Sequence, residues 1–365
     1  MIRLSRTLSF YIARQYLMWF LGLMLILTGV IWLFEIVEML RRAASRDAIG
    51  FGVVLKLTLL KLPETVQTLF HFAVLFSAMF TFWRLTRSQE LVVARAAGVS
   101  VWQFLFPVLV VAAGLGVAKI GVINPIGAAM LTKYEQMEAA YFEGRTSFLE
   151  ISGGGIWLRQ GSEDGSAIIF ATQTDPEEVA LENAIVFLYG PENEYEGRID
   201  AERMTLRNGY WEMLSARVTM GAEQPRFVPA YRLPTDLTPQ SIEDSFATPE
   251  TLSFWDLPEF IRTLEETGFS SLRHRIYYNA LLAQPFLLAA MVLFAAAFSL
   301  RQTRRGGALV MVIGGVVTGF TLFLMNDLVL ALGLAESIPV LMAAWSPALI
   351  ALMIGTATLL HLEDG

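Results

Sequence analysis

Six stretches of mostly apolar residues, each about 20 residues long, constrain the fold of this chain more than any other feature. A helix of about 20 residues crosses the hydrocarbon core of a bilayer, which is about 30 Å thick. The composition agrees, because 55% of the 365 residues are hydrophobic and only 17% are charged, whereas a soluble protein normally carries more charge. We therefore predict about six transmembrane helices, in the windows 16–34, 60–83, 101–123, 276–300, 308–331 and 338–361.

The short connections between these windows differ in charge, and the difference predicts the orientation. Cytoplasmic connections of membrane proteins are enriched in lysine and arginine. One side of the membrane carries three clusters of arginine, whereas the other side carries a single cluster before the second window. We therefore assign the richer side to the cytoplasm; its arginines are Arg3, Arg6, Arg14, Arg84, Arg87, Arg95, Arg301, Arg304 and Arg305.

The long segment between the third and fourth windows has a different character. Residues 124–275 carry a net charge of −13, and the rest of the chain carries +6. Short runs of β-branched and aromatic residues alternate there with Gly, Pro, Asn and Asp, which is typical of antiparallel strands. Asn208-Gly209 is the strongest hairpin signal, because a type I′ turn needs a positive φ at both central positions.

These features predict the fold class and the domain boundaries. We expect an α-helical membrane protein with an inserted all-β, jelly-roll-like domain on the extracytoplasmic side. Residues 1–123 would hold transmembrane helices 1–3, residues 124–272 the β domain with its flanking helices, and residues 273–365 transmembrane helices 4–6.

Several kinds of chemistry find no support in the sequence. The chain has no cysteine, which excludes disulfides, thiolate catalysis and cysteine-based zinc sites. Its three histidines, His71, His274 and His361, stand in no H-E-x-x-H pattern, and no G-x-S-x-G or G-x-x-x-x-G-K-[ST] motif occurs. The acidic soluble segment does not favour nucleic acid. We therefore expect no catalytic site, metal or cofactor, and any energy from ATP must come from another subunit.

Residues 88–98 form the most informative short connection. Ser88 fits the N-cap of a small helix, Glu90 its first turn, Arg95 its last turn and Gly98 the left-handed position after its end. A capped helix between two spans is either a well-formed turn or a coupling helix that docks in a groove of a cytoplasmic motor. Sequence physics leaves both interpretations open.

The stretch Glu90-Leu-Val-Val-Ala-Arg-Ala-Ala-Gly-Val-Ser100 resembles the coupling-helix motif of the lipopolysaccharide export permeases, the LptF/LptG family. The similarity extends over the whole chain, from the six helices and the β domain after the third to the turn at 301–307 and the final segments Ile338-Pro339 and Ala344–Pro347. The closing half is more similar to LptG than to LptF. One departure is Gln89, which occupies the position where the motif usually has Ser.

The resemblance implies a permease subunit that extracts lipopolysaccharide from the bacterial inner membrane and passes it to a periplasmic bridge. Known members pair with a second permease of the family, here an LptF-like chain, and are driven by a homodimeric cytoplasmic ABC ATPase. LptC- and LptA-like proteins would form the bridge, and the β domain would lie in the periplasm. By this resemblance Glu90 and Arg95 face the ATPase groove, Leu91 and Val92 pack into it, and helices 1 and 5 line the lipid cavity.

Three arginines near the outer membrane boundary are the candidates for contact with lipid phosphates. Arginine binds phosphate through bidentate charge-assisted hydrogen bonds, and Arg41, Arg42 and Arg46 lie at that boundary. Simple snorkelling to the interface explains each of them equally well. Two nearby carboxylates, Glu35 and Glu38, weaken the phosphate assignment unless they pair with Lys56, Lys61 or Arg42.

Charged residues inside membrane spans are expensive and often functional. Asp327, toward the outer end of helix 5, is the best candidate for lining a lipid cavity, and Lys119 is a candidate partner for it. A structural pair buried in the bundle explains either residue equally well.

Two other function classes stay open. One is the permease of another lipid or lipoprotein export system. A lipoprotein-release permease usually has four spans and its large domain after the first, so the span count separates that type from the first hypothesis. A membrane-bound enzyme would show activity without an ATPase subunit.

Overall fold

The computed structural model describes residues 6–44, 49–143, 149–152, 155–162, 165–175, 180–191, 194–221, 223–235, 237–238, 248–266, 269–299 and 307–364. They form two compact units. The helical unit contains Met1–Tyr134, Ser253–Trp255 and Arg275–Gly365, and the β unit contains Glu135–Leu252 and Asp256–His274.

The helical unit confirms the six predicted apolar helices. Their bounds are α1 Arg6–Ala43, α2 Phe51–Arg87, α4 Val101–Ala118, α7 Leu272–Ser299, α8 Gly307–Leu334 and α9 Val340–Asp364, and a short helix, α3 Glu90–Ala96, joins α2 to α4. Each of the six is long and apolar enough to cross a membrane. The chain is therefore a polytopic membrane protein in which a seven-residue helix turns the corner between the second and third spans.

The third span continues further than the window 101–123 because α4 does not end at Asn124-Pro125. A π-helical turn, Lys119–Ile123, connects α4 to α5 Asn124–Glu138, and a second such turn, Ala139–Glu143, follows. The amide of Asn124 is buried and donates to the hydroxyl of Tyr277 at 3.1 Å, while its oxygen accepts from the backbone N–H of Phe254 at 2.8 Å. These bonds tie the π-helical turn to α7 and to the returning chain.

Two helices of the bundle touch through their backbones. A Cβ atom added to Gly116 of α4 would lie 2.7 Å from the Cα atom of Pro285 in α7, which is closer than real Cβ atoms approach backbone. Small residues permit this kind of close helix packing in membranes. Around it α2, α4 and α7 share one apolar core, to which α1 contributes Ile12, Tyr16 and Phe20.

The β unit confirms the inserted antiparallel domain. Its strands are β1 Leu149–Ser152, β2 Gly155–Ser162, β3 Gly165–Ala171, β4 Gln173–Asp175, β5 Ala180–Tyr189, β6 Tyr195–Arg207, β7 Tyr210–Met220 and β8 Arg226–Pro234. Consecutive strands pair antiparallel, except that β3 pairs with β5, to which the short β4 is also added. The predicted hairpin is present, since Asn208-Gly209 joins β6 to β7. Its turn is not type I′, because Gly209 has a φ of 83° whereas Asn208 has no positive φ.

One face of the sheet forms the core of the β unit. Ile169, Val186 and Ile199 stand in register on neighbouring strands and are fully buried. Their alternation with more exposed residues along each strand is the period of two expected for a sheet covered on one side. A short amphipathic helix, α6 Leu257–Glu266, also belongs to this unit and buries Leu257 and Leu264.

Candidate functional site

The start of α3 differs from the prediction by one residue. Ser88 is the C-cap of α2. Gln89 is the N-cap of α3 and has a left-handed φ of 60°. The assignment of Ser88 as N-cap is therefore wrong. Ser88 instead donates its hydroxyl to the backbone oxygen of Arg84 at 2.9 Å, because it is the C-cap of α2.

Ser88 nevertheless contacts a residue singled out from the sequence. Its Oγ atom also lies 2.8 Å from Oε1 of Glu90, to which it can donate. Glu90 is exposed in the first turn of α3, where a carboxylate interacts favourably with the positive end of the helix. The carboxylate is thus oriented by its own chain, through Ser88 and through the hydroxyl of Tyr11 in α1, and it stays exposed.

The end of α3 agrees with the sequence analysis. Gly98 has a φ of 83°, and its N–H donates to Arg95 O at 2.9 Å, while Val99 N–H donates to Ala94 O at 3.1 Å. This is the paired hydrogen bonding of a Schellman motif, which glycine favours. The exposed Arg95 lies in the last turn, as expected.

A second cap, which sequence reasoning missed, follows immediately. Ser100 and Gln103 form a capping box at the start of α4, in which the N–H of Ser100 donates to Gln103 Oε1 at 3.2 Å. The S-x-x-Q spacing is the signal that could have revealed it. Hydrogen bonds therefore hold both ends of the connection between α2 and α4, so that α3 is a firmly placed element.

The apolar residues of α3 divide between the bundle and the exterior. Leu91 is buried and belongs to the core of the helical unit, together with Leu85 and Val101. The expectation that Leu91 packs into a partner's groove is therefore corrected, since its side chain anchors α3 to its own bundle. Val92 and Val93 are the exposed pair, at 43% and 68%, and Val93 was not singled out from the sequence.

At the C-terminal end of α1 the arginines interact with other residues of the chain. Arg41 makes a bidentate contact with Glu38, donating from Nη2 to Oε1 at 2.7 Å and from Nε to Oε2 at 2.9 Å. Both side chains are largely exposed, so the pair is open to exchange with another anion. Arg42 also interacts within the chain, and Arg46 lies outside the described residues.

The other carboxylate of this region, Glu35, pairs with Lys61 of α2. Their Nζ and Oε1 atoms are 2.8 Å apart, and both side chains are about two-thirds to three-quarters buried, with exposures of 32% and 24%. Lys61 also lies 5.7 Å above the ring of Tyr134. The two carboxylates that weakened the phosphate assignment thus both have basic partners, Lys61 for Glu35 and Arg41 for Glu38.

Asp327 and Lys119 are not partners of each other. Lys119 is buried and donates to Gln284 Oε1 of α7 at 2.6 Å, with its Nζ atom 5.6 Å above the ring of Phe70. Asp327 is exposed on α8 and makes no hydrogen bond or ion pair with the other described residues. Among the described residues no cluster fits a metal ion.

Comparisons with known proteins agree on one family. Residues 10–361 match the family model of the lipopolysaccharide export system permease LptF/LptG. The chain is 24% identical over 338 residues to the lipopolysaccharide export system permease protein LptG of Escherichia coli K12, covering 88% of each chain. It is 22% identical over 358 residues to the protein of the same name from Haemophilus influenzae, covering 94% of this chain and 95% of that one.

Proposed function

This chain belongs to the lipopolysaccharide export permease family LptF/LptG. We propose a separate role in lipopolysaccharide transport for each part of the chain. The chain is a multi-pass inner-membrane permease subunit of a lipopolysaccharide export system. In the proposed scheme α3 binds a separate ATPase and transmits its conformational change to the helical unit. The outer surfaces of α1 and α8 line the lipid cavity, and the β unit carries the lipid onward in the periplasm.

The placement of α3 is the observation that carries the energy-coupling part of the proposal. The sequence has no phosphate-binding loop, and in this proposal the driving force comes from a separate cytoplasmic ATPase homodimer. Val92, Val93 and Arg95 face outward from α3 while Leu91 is fixed in the bundle. If a groove of the ATPase binds this exposed face of α3, a movement of the ATPase would therefore move α3 and the core of the helical unit together.

The exposure of α1 and α8 supports a cavity shared with a second permease. Of the six candidate spans, these two have the smallest buried share. On α8 the carboxylate of Asp327 stands between the exposed side chains of Leu324 and Leu328. A carboxylate facing hydrocarbon is expensive, so Asp327 fits best on a polar wall that an LptF-like partner completes.

The arginines at the outer end of α1 fit the polar part of the same lipid. The Arg41–Glu38 pair is exposed, and arginine binds phosphate, like carboxylate, through bidentate charge-assisted hydrogen bonds. In the proposed scheme the phosphate exchanges with Glu38 as the lipid enters. Arg42 lies one residue further along α1, and Arg46 follows in the connection to α2.

The β unit supports the last step. Its apolar inner face suits acyl chains, and β8 is an edge strand of the sheet. An edge strand offers unpaired backbone groups to which a strand of an LptC-like protein can add, and LptA-like proteins can extend the bridge. The six candidate spans and the sheet inserted after the third also differ from the four-span arrangement expected of a lipoprotein-release permease.

A charge reversal at Glu90 tests the proposal. The complex is assembled from this chain, a second permease and the ATPase, and the yield of ATPase that copurifies with the chain is measured. We expect Glu90→Lys to abolish copurification without loss of membrane insertion. Glu336→Lys, the same reversal at an exposed residue between α8 and α9, is the matched control. Normal yield with Glu90→Lys would remove the coupling role.

A further inference from the structure

A buried polar cluster closes the β unit upon itself. The side-chain oxygen of Gln160 in β2 accepts from the indole N–H of Trp211 in β7 at 3.2 Å and from the hydroxyl of Thr235 at 2.7 Å. Its amide nitrogen donates to the backbone oxygen of Pro234 at 3.2 Å. In the sheet, β3, β5 and β6 separate β2 from β7. Gln160 therefore reaches across the inner face and joins strands that are not neighbours.

Two kinks in the strands allow the sheet to curl this far. Asn183 in β5 and Ser215 in β7 have left-handed φ values of 50° and 53°, which non-glycine residues rarely adopt. The strand pairing is interrupted at each of these residues, while the register is the same on both sides of the interruption. The backbone therefore departs locally from the regular ladder without an inserted residue.

Trp211 fills the space that this curl encloses. It is fully buried and is the largest of the fully buried side chains, and Met204 and Met213 pack in the same core. The hydrogen bond between Trp211 and Gln160 stabilises the buried position of both side chains, because a buried indole N–H needs an acceptor. An acyl chain entering the interior would need the volume that the indole occupies.

We propose that Gln160, Trp211 and Thr235 form a latch that keeps the interior of the β unit closed until lipid enters. The inference rests on the proposed function, in which acyl chains travel along this inner face. Displacement of the indole breaks its hydrogen bond to Gln160 and opens the curl between β2 and β7. The latch thus sets how readily the interior admits an acyl chain, and it prevents the empty domain from exposing apolar surface.

The absence of native cysteine allows the latch to be locked covalently without interference. Gln160→Cys and Thr235→Cys are introduced together and joined with a short bismaleimide. The control pair is Ser166→Cys and Tyr189→Cys, which are direct partners on β3 and β5 and whose linkage joins strands that already pair. Each pair is placed in a chain with p-benzoylphenylalanine in place of Tyr231, a partly buried residue that packs against the core.

The readout is the amount of lipopolysaccharide that crosslinks to position 231 on illumination, in the full complex with ATP. We expect the latch linkage to lower the adduct at least about tenfold relative to the same chain without linker, because β2 can no longer separate from the residue that follows β8, and the control linkage to leave it unchanged. An equal adduct with the latch linked would overturn the latch while the lipid route stands. No adduct in any sample, including the chain without linkage, would overturn the route and the latch with it.

Weakening the latch without a crosslinker gives an independent measurement. Thr235→Val removes one donor to Gln160 and keeps a side chain of similar shape. Trp211→Phe removes the other donor and also part of the buried volume that the indole fills. We expect both to increase the lipid adduct at position 231 and to speed amide exchange in β2 and the start of β7. Thr219→Val, the same change on β7 away from Gln160, is the control. Unchanged exchange and unchanged adduct in both variants would contradict the latch.

Discussion

Leu91 and Val93 lie two residues apart on α3 and face opposite surroundings, with 6% of Leu91 exposed and 68% of Val93. One side chain therefore belongs to the permease core, and the other is available to a partner. Substitutions at the two positions can therefore distinguish the contribution of α3 to folding stability from its contribution to partner binding. Both residues are aliphatic and belong to the same short helix.

The first prediction uses this pair. Leu91→Ala removes a buried side chain, and we expect it to cost about 2–5 kcal/mol of stability, which lowers the midpoint of thermal unfolding in detergent. Val93→Ala should leave the midpoint unchanged and weaken ATPase binding, measured by titration of the purified ATPase. Equal effects of both substitutions on unfolding would contradict the orientation of α3.

The second prediction concerns the end of α3. Gly98 has a φ of 83°, where a side chain costs about 1–2 kcal/mol, so Gly98→Ala should loosen the corner and weaken ATPase binding. Asn tolerates this conformation better than Ala, so Gly98→Asn should restore part of the affinity. If the Ala and Asn variants bind alike, backbone strain is not the cause.

The third prediction concerns the contact of α4 with α7. A Cβ atom at Gly116 would meet the backbone of Pro285, whereas one at Gly114 meets nothing within 4 Å. We expect Gly116→Ala to destabilise the helical unit, and Gly114→Ala, two residues away, to be neutral or stabilising by up to about 1 kcal/mol. Thermal unfolding of the two purified variants measures the difference.

The fourth prediction compares the two ion pairs near the outer end of α1. Glu35→Met or Lys61→Met leaves a mostly buried charge without its partner, so each should destabilise, while the double variant should recover most of the loss. A double-mutant cycle on thermal unfolding should give a coupling of about 1 kcal/mol or more. The exposed pair Glu38 and Arg41 should show no measurable coupling, and a large value there would contradict the comparison.

The fifth prediction tests the lipid contacts by photo-crosslinking. A photoreactive residue at Arg41, Arg42 or Asp327 should capture lipopolysaccharide when the lipid is preloaded or ATP is supplied. Val110, exposed on α4, is the control position and should capture ordinary phospholipid. If none of the three positions yields an adduct with lipopolysaccharide, they do not line the cavity.

The six spans and the β insertion were predictable because each depends on local sequence. A run of about 20 apolar residues has few alternatives in a bilayer, and Asn208-Gly209 encodes its turn within two residues. Gly98 was predictable for the same reason, since its left-handed conformation is a property of one position.

Which residues of α3 are buried depends on tertiary packing and could not be predicted from local sequence. Leu91, Val92 and Val93 are similar in sequence, and the one that faces the bundle is decided by how the corner packs against Leu85 and Val101. The N-cap moved by one residue for the same reason. Residues one position apart on a helix differ by about 100° in direction, so a small error of register exchanges buried and exposed positions.

The hydrogen bonds of Gln160 and Lys119 could not be predicted from the sequence, because their partners are remote along the chain. Trp211 follows Gln160 by 51 residues, and Gln284 follows Lys119 by 165. A charge-based search suggested Asp327 as the partner of Lys119, whereas a neutral amide on a packed neighbouring helix fills that place.

The distance between Lys119 and Gln284 along the chain also matters during synthesis. Translation proceeds at about 5–20 residues per second, so Lys119 leaves the ribosome about 10–30 s before the residue that will accept its hydrogen bond. An ammonium in hydrocarbon without a partner is unfavourable. The nascent third span therefore has to wait beside the insertion machinery, or at its polar margin, until the fourth span arrives to join it.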